Sequence, residues 1–139
     1  MNGIRELPLR AEIDGVPVVL DPDSPDIAHA AGFWPLKRIV VNPAWFELDA
    51  EVQGAVLRHE LHHCKAFHME IRLLMLPICW TKFAQRVGQA QELAADAYAA
   101  KMGYRNELIR FIARHQTCAE PFHVAPMTRI ASLIKGTSS

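Results

Sequence analysis

The segment His59-Glu60-Leu61-His62-His63 matches the pattern H-E-x-x-H, and the rest of the chain is best understood from it. An α-helix turns about 100° per residue, so His59 and His63, four positions apart, face the same side of one helix. The two imidazoles can therefore bind one metal ion, while Glu60 points aside toward whatever that ion activates. The pattern is short enough to occur by chance, so its surroundings have to support the interpretation.

Two acidic residues, Glu92 and Asp96, lie further along the chain, four positions apart. Apolar side chains at helical spacing predict a helix over residues 85–102, so these two carboxylates share one of its faces. Catalytic zinc takes three nitrogen or oxygen ligands from the protein and leaves its fourth position to water. We therefore expect one Zn²⁺ per chain, bound by His59, His63 and Glu92, unless the two acids only form a solvated edge of an amphipathic helix.

The two remaining acidic residues, Glu60 and Asp96, have predicted roles in the chemistry. Glu60 is next to a ligand in the sequence, and as a general base it would take a proton from the activated water and return it to the leaving amine. Asp96 is expected to accept the free N–H of the His59 ring and so to fix its tautomer. On this basis the sequence predicts a zinc-dependent metalloendopeptidase, a hydrolase that acts on peptide bonds.

Other potential ligands near the motif are assigned structural roles. His62 lies on the shoulder of the site and could bind metal only by displacing a better-placed neighbour. His68 follows His59 about half a turn out of phase on a continuous helix, so we expect it at the surface or at the edge of the core. Cys64 directly follows His63 and could touch the metal, but its different direction on the helix favours a small buried residue.

The composition limits the class of protein. The chain has 139 residues, 50% of them hydrophobic, and its formal net charge is zero. This is an ordinary globular composition, so we expect one domain over residues 1–139, with its core at about 11–135 and a flexible tail at 136–139. The balanced charge predicts no nucleic-acid partner and no anionic-membrane surface. The oligomeric state is left open.

Further features predict a cytoplasmic protein. Residues 1–10 carry charges at Arg5, Glu6 and Arg10 and contain no apolar run, so they do not form a secretory signal. The longest stretch without Asp, Glu, Lys or Arg is the ten residues from Ile27 to Leu36, which is too short to span a bilayer. Three scattered cysteines without a C-x-x-C pair are typical of reduced thiols in a cytosol.

Hydrophobic periodicity predicts strands before the motif and helices from the motif onward, which indicates an α+β fold. The predicted strand segments are 11–20, as a strand or a hairpin around Gly15; 27–33, as a strand or an irregular segment; and 37–42. The predicted helical segments are Asp49, as N-cap, to about Phe67; 69–83, as two short helices or one helix kinked at Pro77; 85–102, ended by Gly103; 106–116; and 128–135, capped by Thr128.

Four segments of the chain, in the same order as in that family, resemble the HtpX-like and CAAX prenyl endopeptidases of the gluzincin clan. Residues 55–63, AVLRHELHH, resemble the A-V-L-x-H-E-l-x-H core of these enzymes, and residues 91–103, QELAADAYAAKMG, resemble their E-x-x-A-D segment. Weaker resemblances lie at residues 27–48 and at residues 122–133, FHVAPMTRIASL. Together the four segments span most of residues 27–133.

The resemblance implies a compact zincin-like domain in which a small β-sheet packs on zinc-bearing helices. It implies that an exposed edge strand around Ile39, Val40 and Val41 pairs with a protein or peptide substrate bound as an extended strand. By the same resemblance, His123 and Arg129 approach the oxyanion and help to stabilise the tetrahedral intermediate. Arg129 has the alternative role of capping a helix or forming a salt bridge.

The chain also departs from that family. Its usual members are membrane-embedded, whereas no segment of this sequence can span a bilayer, so their membrane substrates do not transfer. His29 stands where Phe is usual, and Val124 stands where Pro is usual. Two alternatives are an ImmA/IrrE-like protease that cleaves one dedicated antirepressor, and a latent domain that binds zinc or a peptide strand without turnover. Asp96, where the ImmA/IrrE-like segment has Asn, and the R-I-x-x-L ending favour the first family.

Overall fold

The structure is a computed structural model that describes residues 7–115 and 124–136. Over these two ranges the chain forms four β-strands followed by five α-helices, which confirms the predicted α+β fold. The strands are β1 (Leu7–Ile13), β2 (Val16–Leu20), β3 (Ala28–Ala31) and β4 (Arg38–Val41). The helices are α1 (Ala50–Lys65), α2 (His68–Leu74), α3 (Lys82–Ala99), α4 (Arg105–His115) and α5 (Pro126–Lys135).

Strands β1 and β2 form the hairpin predicted around Gly15. Asp14 and Gly15 both have positive φ angles, 49° and 79°, and Ile13 pairs directly with Val16. Two central residues with positive φ are typical of a type I′ turn, whose twist matches that of the flanking strands. The Asp-Gly pair therefore fixes the register of the hairpin, which brings Ile13 and Val18 into the core.

The strand predicted at the edge of the sheet lies inside it. The strand order is β1-β2-β4-β3, and β4 pairs in parallel with β2 and antiparallel with β3. Ile39, Val40 and Val41 are buried and their backbone is paired on both sides, so the prediction that they pair with a substrate is wrong. Consecutive β-branched residues are typical of a strand covered on both faces, and such strands are internal. The strand at the edge beside α1 is β3.

Helix α1 lies between two hydrophobic clusters. One cluster packs Val52 and Val56 of α1 against Ile39 and Val41 of the sheet. The other cluster surrounds Ala55 with side chains from three further helices: Ala99, Leu108, Ile112 and Leu133. Because both sides of α1 are packed in this way, the side chains one turn further along the helix are held in fixed positions and away from bulk water.

Helix α1 ends at Lys65, slightly before the predicted end at about Phe67. Phe67 has a φ angle of 57°, in the left-handed region, and this residue redirects the chain into α2. The segment predicted over residues 69–83 is divided into two short helical parts, which is one of the two alternatives predicted for it. The division occurs because a 3-10 turn at Leu76–Ile78 surrounds Pro77. The change of direction after α1 has a consequence for the site described below.

The remaining helix ends follow local capping chemistry. Helix α3 begins earlier than predicted, after Thr81, whose hydroxyl accepts a hydrogen bond from the backbone N–H of Ala84 at 3.2 Å. Gly103 ends the following turn with a φ angle of 96°, as its position predicted. Helix α5 begins at Pro126, so the prediction that Thr128 caps it is wrong. Proline suits the first helical position because its φ angle is already helical and its missing N–H is not needed there.

Two of the predictions concern membrane-spanning helices and reduced cysteines. None of the helices in the two described ranges is long and apolar enough to cross a bilayer. Cys64 and Cys79 are free thiols. Cys118 lies outside the described residues.

Candidate metal centre

The three predicted metal ligands converge between α1 and α3. His59 and His63 are buried on α1, and their Nε2 atoms are 3.2 Å apart. Glu92 reaches them from α3, with Oε2 at 3.3 Å from Nε2 of His59 and Oε1 at 3.1 Å from Nε2 of His63. Glu92 is itself buried, so it is not the solvated helix edge that was the alternative. These residues form a buried cluster that could hold a metal ion.

The spacing of the ligand atoms suits a small tetrahedral ion. Zinc binds nitrogen and oxygen at about 2.1 Å, which in a tetrahedron separates neighbouring ligand atoms by about 3.4 Å. The three distances between His59, His63 and Glu92, from 3.1 to 3.3 Å, lie close to that value. Two imidazole nitrogens and a carboxylate oxygen are also ligand types that zinc takes. The residues present therefore fit a bound zinc ion.

The charges around the cluster favour a cation of charge two. Burial acts to raise the pKa of Glu92, but hydrogen bonds with His59 and His63 outweigh it and hold this pKa far below its usual value. Glu92 is thus a buried carboxylate, and the carboxylate of Glu60 lies beside it in the same cavity. Buried charges are stable only when they are paired, and a divalent ion bound in place of an imidazole proton would match these two carboxylates.

Asp96 lies beside the other ring nitrogen of His59, where the sequence placed it. Its Oδ1 atom is 2.8 Å from Nδ1 of His59, and this oxygen lies off the line of the N–H bond. Burial acts to lower the pKa of His59, but Asp96 and then Glu92 outweigh it and raise this pKa to about 10. Carboxylates on both ring nitrogens therefore fix the orientation of His59.

Arg129 binds Asp96 rather than standing free in the cleft. Its Nε donates to Oδ2 of Asp96 at 2.8 Å, and its Nη2 donates to Oδ1 at 2.7 Å. This two-point contact, with both side chains buried, matches the alternative salt-bridge role. Burial acts to raise the pKa of Asp96, but Arg129 and His59 keep it below its usual value. Arg129 also lines the cavity, whereas His123, its predicted partner at the oxyanion, lies outside the described residues.

His68 holds the second imidazole, and the sequence did not predict this role. Its Nδ1 atom is 2.7 Å from Nδ1 of His63, and it is buried. For Nε2 of His63 to face a metal, Nδ1 of His63 must carry the proton and donate it to His68, an assignment that follows from the donor set. Burial, and then the charges of His63 and His62, lower the pKa of His68 to about 4, which keeps it a neutral acceptor.

Arg72, one turn after His68 on α2, is a second contributor that the sequence did not predict. Its Nε donates to Oε1 of Gln91 at 2.7 Å, and its Nη2 lies 3.4 Å from Oε1 of Glu92. Helix α2 therefore supports one ligand from α1 and one from α3. Both contacts depend on the break at Phe67, because a helix continued through this residue would have carried these side chains elsewhere.

Glu60 links the ligand cluster to the edge of the sheet. Its Oε2 atom accepts a hydrogen bond from the backbone N–H of Ala30 on β3 at 2.9 Å, and its Oε1 atom is 4.0 Å from Nε2 of His59. Glu60 is therefore beside the cluster without being one of its three ligands. His29, the neighbour of Ala30, lines the same cavity and has Nδ1 at 3.5 Å from Oγ of Ser24.

Two further residues near the motif have the structural positions predicted for them. Cys64 is buried, burial raises the pKa of its thiol to about 11, and the metal-site group does not include it. His62 makes ring contacts with His68 and Tyr98, with centroids 5.3 and 5.1 Å apart, and thus forms part of the packing behind the ligands.

A cavity of about 440 Å³ opens onto the cluster. It lies between β3, α1, α2, α3 and α5, and its lining includes Ala30, His59, Glu60, Glu92 and Arg129. Comparisons of the chain with protein-family models, with curated proteins and with solved structures give no match. The function is therefore argued from the groups in this cavity and their geometry.

Proposed function

We propose that this protein is a zinc-dependent metalloendopeptidase, and that its active site is the cavity above His59, His63 and Glu92. The observation that supports the proposal is the arrangement of four side chains: two buried imidazoles with Nε2 atoms 3.2 Å apart, the buried Glu92 carboxylate with one oxygen within 3.3 Å of each, and the Glu60 carboxylate beside them. A purely structural metal site usually closes all four ligand positions with protein atoms, whereas three ligands next to a cavity leave one position for reactants.

The ligand types favour zinc over other divalent ions. Two imidazoles and one carboxylate at tetrahedral spacing suit zinc, while magnesium and calcium prefer six or more oxygen ligands. When bound, zinc would polarise the peptide carbonyl and bring the pKa of a water molecule close to neutrality. The protein contributes the orientation of the ligands, through Asp96 for His59 and His68 for His63.

Glu60 is proposed as the general base. Its Oε1 atom, 4.0 Å from Nε2 of His59, is close enough to reach a water molecule held at the ligand cluster. In the proposed cycle this carboxylate takes a proton from the attacking water and then delivers it to the amine that leaves. Its hydrogen bond from Ala30 holds the side chain at the mouth of the site.

The substrate is proposed to lie along β3 as an extended strand. Within the described sheet, β3 is paired only with β4, and Ala28, His29 and Ala30 line the cavity beside the ligands. A peptide added to this edge would gain main-chain hydrogen bonds beside Ala30, whose own N–H donates to Glu60, and the alanine side chains of β3 leave room for it. This assignment replaces the internal residues Ile39, Val40 and Val41.

The test combines metal analysis with digestion of a peptide library. The parent protein is expected to bind one equivalent of zinc and to cleave peptides, with cleavage lost in the presence of a chelator. Glu60→Gln should keep the zinc and lose about 10²- to 10⁴-fold in rate, while Glu51→Gln, an exposed carboxylate on the same helix, should change neither. His63→Ala should lose the zinc itself.

Two results would contradict parts of this proposal separately. One equivalent of zinc in the His63→Ala variant would show that the ligand set is wrong. Full zinc binding by the parent protein with no cleavage of any peptide would leave the metal centre standing but remove the peptidase, as expected for a latent domain. Cleavage restricted to one protein target would instead favour the antirepressor-type alternative.

A further inference from the structure

Large apolar side chains are exposed along two segments beside the cavity. The most exposed are Leu74 at 81%, Trp80 at 78%, Leu36 at 77% and Trp34 at 72%. Single exposed apolar residues are normal on a protein surface, but adjoining ones indicate a site of contact. We call the following residues the apolar rim: Phe33, Trp34, Leu36, Leu73, Leu74, Leu76, Trp80 and Phe83.

The two segments of the apolar rim are joined to each other. The backbone N–H of Trp34 donates to Oε1 of Glu70 on α2 at 2.8 Å, and Nζ of Lys37 is 2.9 Å from the same oxygen. Lys37 also lies over the ring of Phe67, 3.9 Å from its centroid. A shallow cavity of about 330 Å³ between the segments is lined by Phe33 and Leu73, among others. Phe33, Leu73 and Leu76 of the rim therefore share one surface, and the other rim residues are close to them in the sequence.

The rest of α2 explains why these side chains face outward. His68 and Arg72 point to the metal ligands, so this face of the short helix is already used. Leu74 ends the helix on the outer side, and the 3-10 turn after it carries Leu76. His68 and Arg72 take up the inner face of α2 and Met69 packs against the core, so within the described residues Leu73 and Leu74 are left exposed.

Apart from the ion pair of Glu70 with Lys37, the charges that follow α2 beside the apolar rim are positive. From residue 71 to residue 86 the sequence contains Arg72, Lys82 and Arg86 and no acidic residue. Lys82 and Arg86 are exposed on the first turns of α3, beside Phe83. The zero net charge of the whole chain conceals this local excess, which is why composition alone predicted no anionic-membrane surface.

We propose that the apolar rim docks onto the surface of an anionic phospholipid bilayer, without spanning it. Leucine and tryptophan at the tips of two joined loops suit shallow insertion, because tryptophan prefers the level of the lipid headgroups. Lys82 and Arg86 would then meet phosphate groups. A second copy of the chain fits less well, since two rims placed face to face would bring these cations together. Docking would hold the cavity close to the membrane surface.

The experiment is vesicle co-sedimentation of the full chain, with tryptophan fluorescence as a second signal. Vesicles of phosphatidylcholine with phosphatidylglycerol are compared with vesicles of phosphatidylcholine alone. We expect sedimentation with the anionic vesicles and a blue shift from Trp34 and Trp80, while the buried Trp45 contributes a constant signal. High salt should weaken the binding.

Paired variants separate the two parts of the surface. Leu74→Ser with Trp80→Ser, and separately Lys82→Gln with Arg86→Gln, should each weaken binding by about tenfold or more. Met127→Ser removes an equally exposed apolar side chain on α5, outside the rim, and should leave binding unchanged. These side chains are exposed, so the fold is expected to be kept.

Three results would overturn the docking proposal, and none depends on peptidase activity. The first is the absence of sedimentation with either kind of vesicle. The second is binding by the Leu74→Ser, Trp80→Ser variant that equals that of the parent. The third is a concentration-dependent increase in mass in the absence of lipid that this variant abolishes, which would assign the rim to contact between copies of the chain.

Discussion

The two imidazoles of the candidate metal centre are supported from opposite sides by different chemistry. His59 is held by a carboxylate, Asp96, which Arg129 pairs in turn by two hydrogen bonds. His63 is held by another imidazole, His68, through a single contact of 2.7 Å. The first support is a charged network between α1, α3 and α5, while the second is a neutral contact from the short helix α2. His59 is thus held by a network inside the core, whereas His63 is held by a residue of the short helix α2.

We expect Asp96 and His68 to contribute differently to stability and to metal affinity. Removing Asp96 leaves the charge of Arg129 buried without a partner, so the fold is affected as well as the metal. Removing His68 leaves one N–H of His63 without an acceptor, which is a smaller loss. We therefore expect the network around Asp96 to determine stability and metal affinity together, and His68 to adjust metal affinity with little effect on the fold.

The largest expected effect is that of Asp96→Ala. Breaking a buried ion pair by removing one partner costs about 3–5 kcal/mol, and both side chains are buried here. The free energy of unfolding, measured by urea denaturation in the presence of a chelator, should fall by this amount. Adding Arg129→Met to the variant should restore much of the loss, because no unpaired charge then remains. A single variant as stable as the parent would show that the network does not carry the fold.

A smaller effect is expected from zinc itself. A ligand that binds only the folded state at about a hundred times its Kd adds about 2.7 kcal/mol of stability. Zinc should therefore raise the Tm of the parent protein, and a chelator should reverse the rise. The His68→Ala variant should keep most of this increase and Asp96→Ala should lose more of it. An equal increase in Glu92→Gln and the parent would place the metal elsewhere.

His68→Ala should weaken zinc binding by about tenfold or somewhat more, the usual scale for loss of a residue that orients a ligand. The measurement is competition with a chromogenic chelator. His68→Gln offers a carbonyl oxygen that can accept the proton of His63 and should recover part of the affinity, which a purely steric role would not explain. His62→Ala, whose ring stacks nearby without contacting a ligand nitrogen, is the matched control. Equal losses in all three variants would contradict the assignment.

Helix geometry accounts for what could be predicted at this site. The positions of His59, His63, Glu92 and Asp96 depend on spacing within two long helices, and spacing of four fixes which side chains share a face. The convergence of α1 and α3 needed only that both helices bury these faces. The pairing of Asp96 with His59 followed in the same way, and the structure places these groups 2.8 Å apart.

Predictions failed where they depended on how separate segments meet. The sequence of β4 indicated a strand but not its neighbours, so Val40 was placed at an edge although β3 covers that side. The turn at Phe67 contains neither glycine nor proline, and without it His68 was assigned to the surface or to the edge of the core. The rim was missed because apolar residues at helical spacing indicate a helix but not which of its faces is buried. In each case the missing information was tertiary.

The smallest expected effect is that of removing an exposed ion pair whose N–O distance equals that of the buried pair Arg129–Asp96. Lys65 and Asp14 are 2.7 Å apart, as are Arg129 and Asp96, but the first pair is exposed. In water the attraction is screened, and ordering two side chains offsets most of it. Asp14→Asn should therefore leave the free energy of unfolding unchanged within error, in contrast to the change at Asp96.

The direction of any residual effect of Asp14 follows from its pKa. The hydrogen bond from Lys65, and then the charge of this residue, lower the pKa of Asp14 in the folded state below its usual value. Stability from this pair is thus present above the ordinary pKa of an aspartate and is lost as pH falls through the lowered one. At acidic pH the unfolding curves of the parent and of Asp14→Asn should superimpose. Any difference between the two curves should occur only at neutral pH. A loss at neutral pH comparable to that of Asp96→Ala would show that separation between the charges, and not burial, sets the strength of ion pairs in this fold.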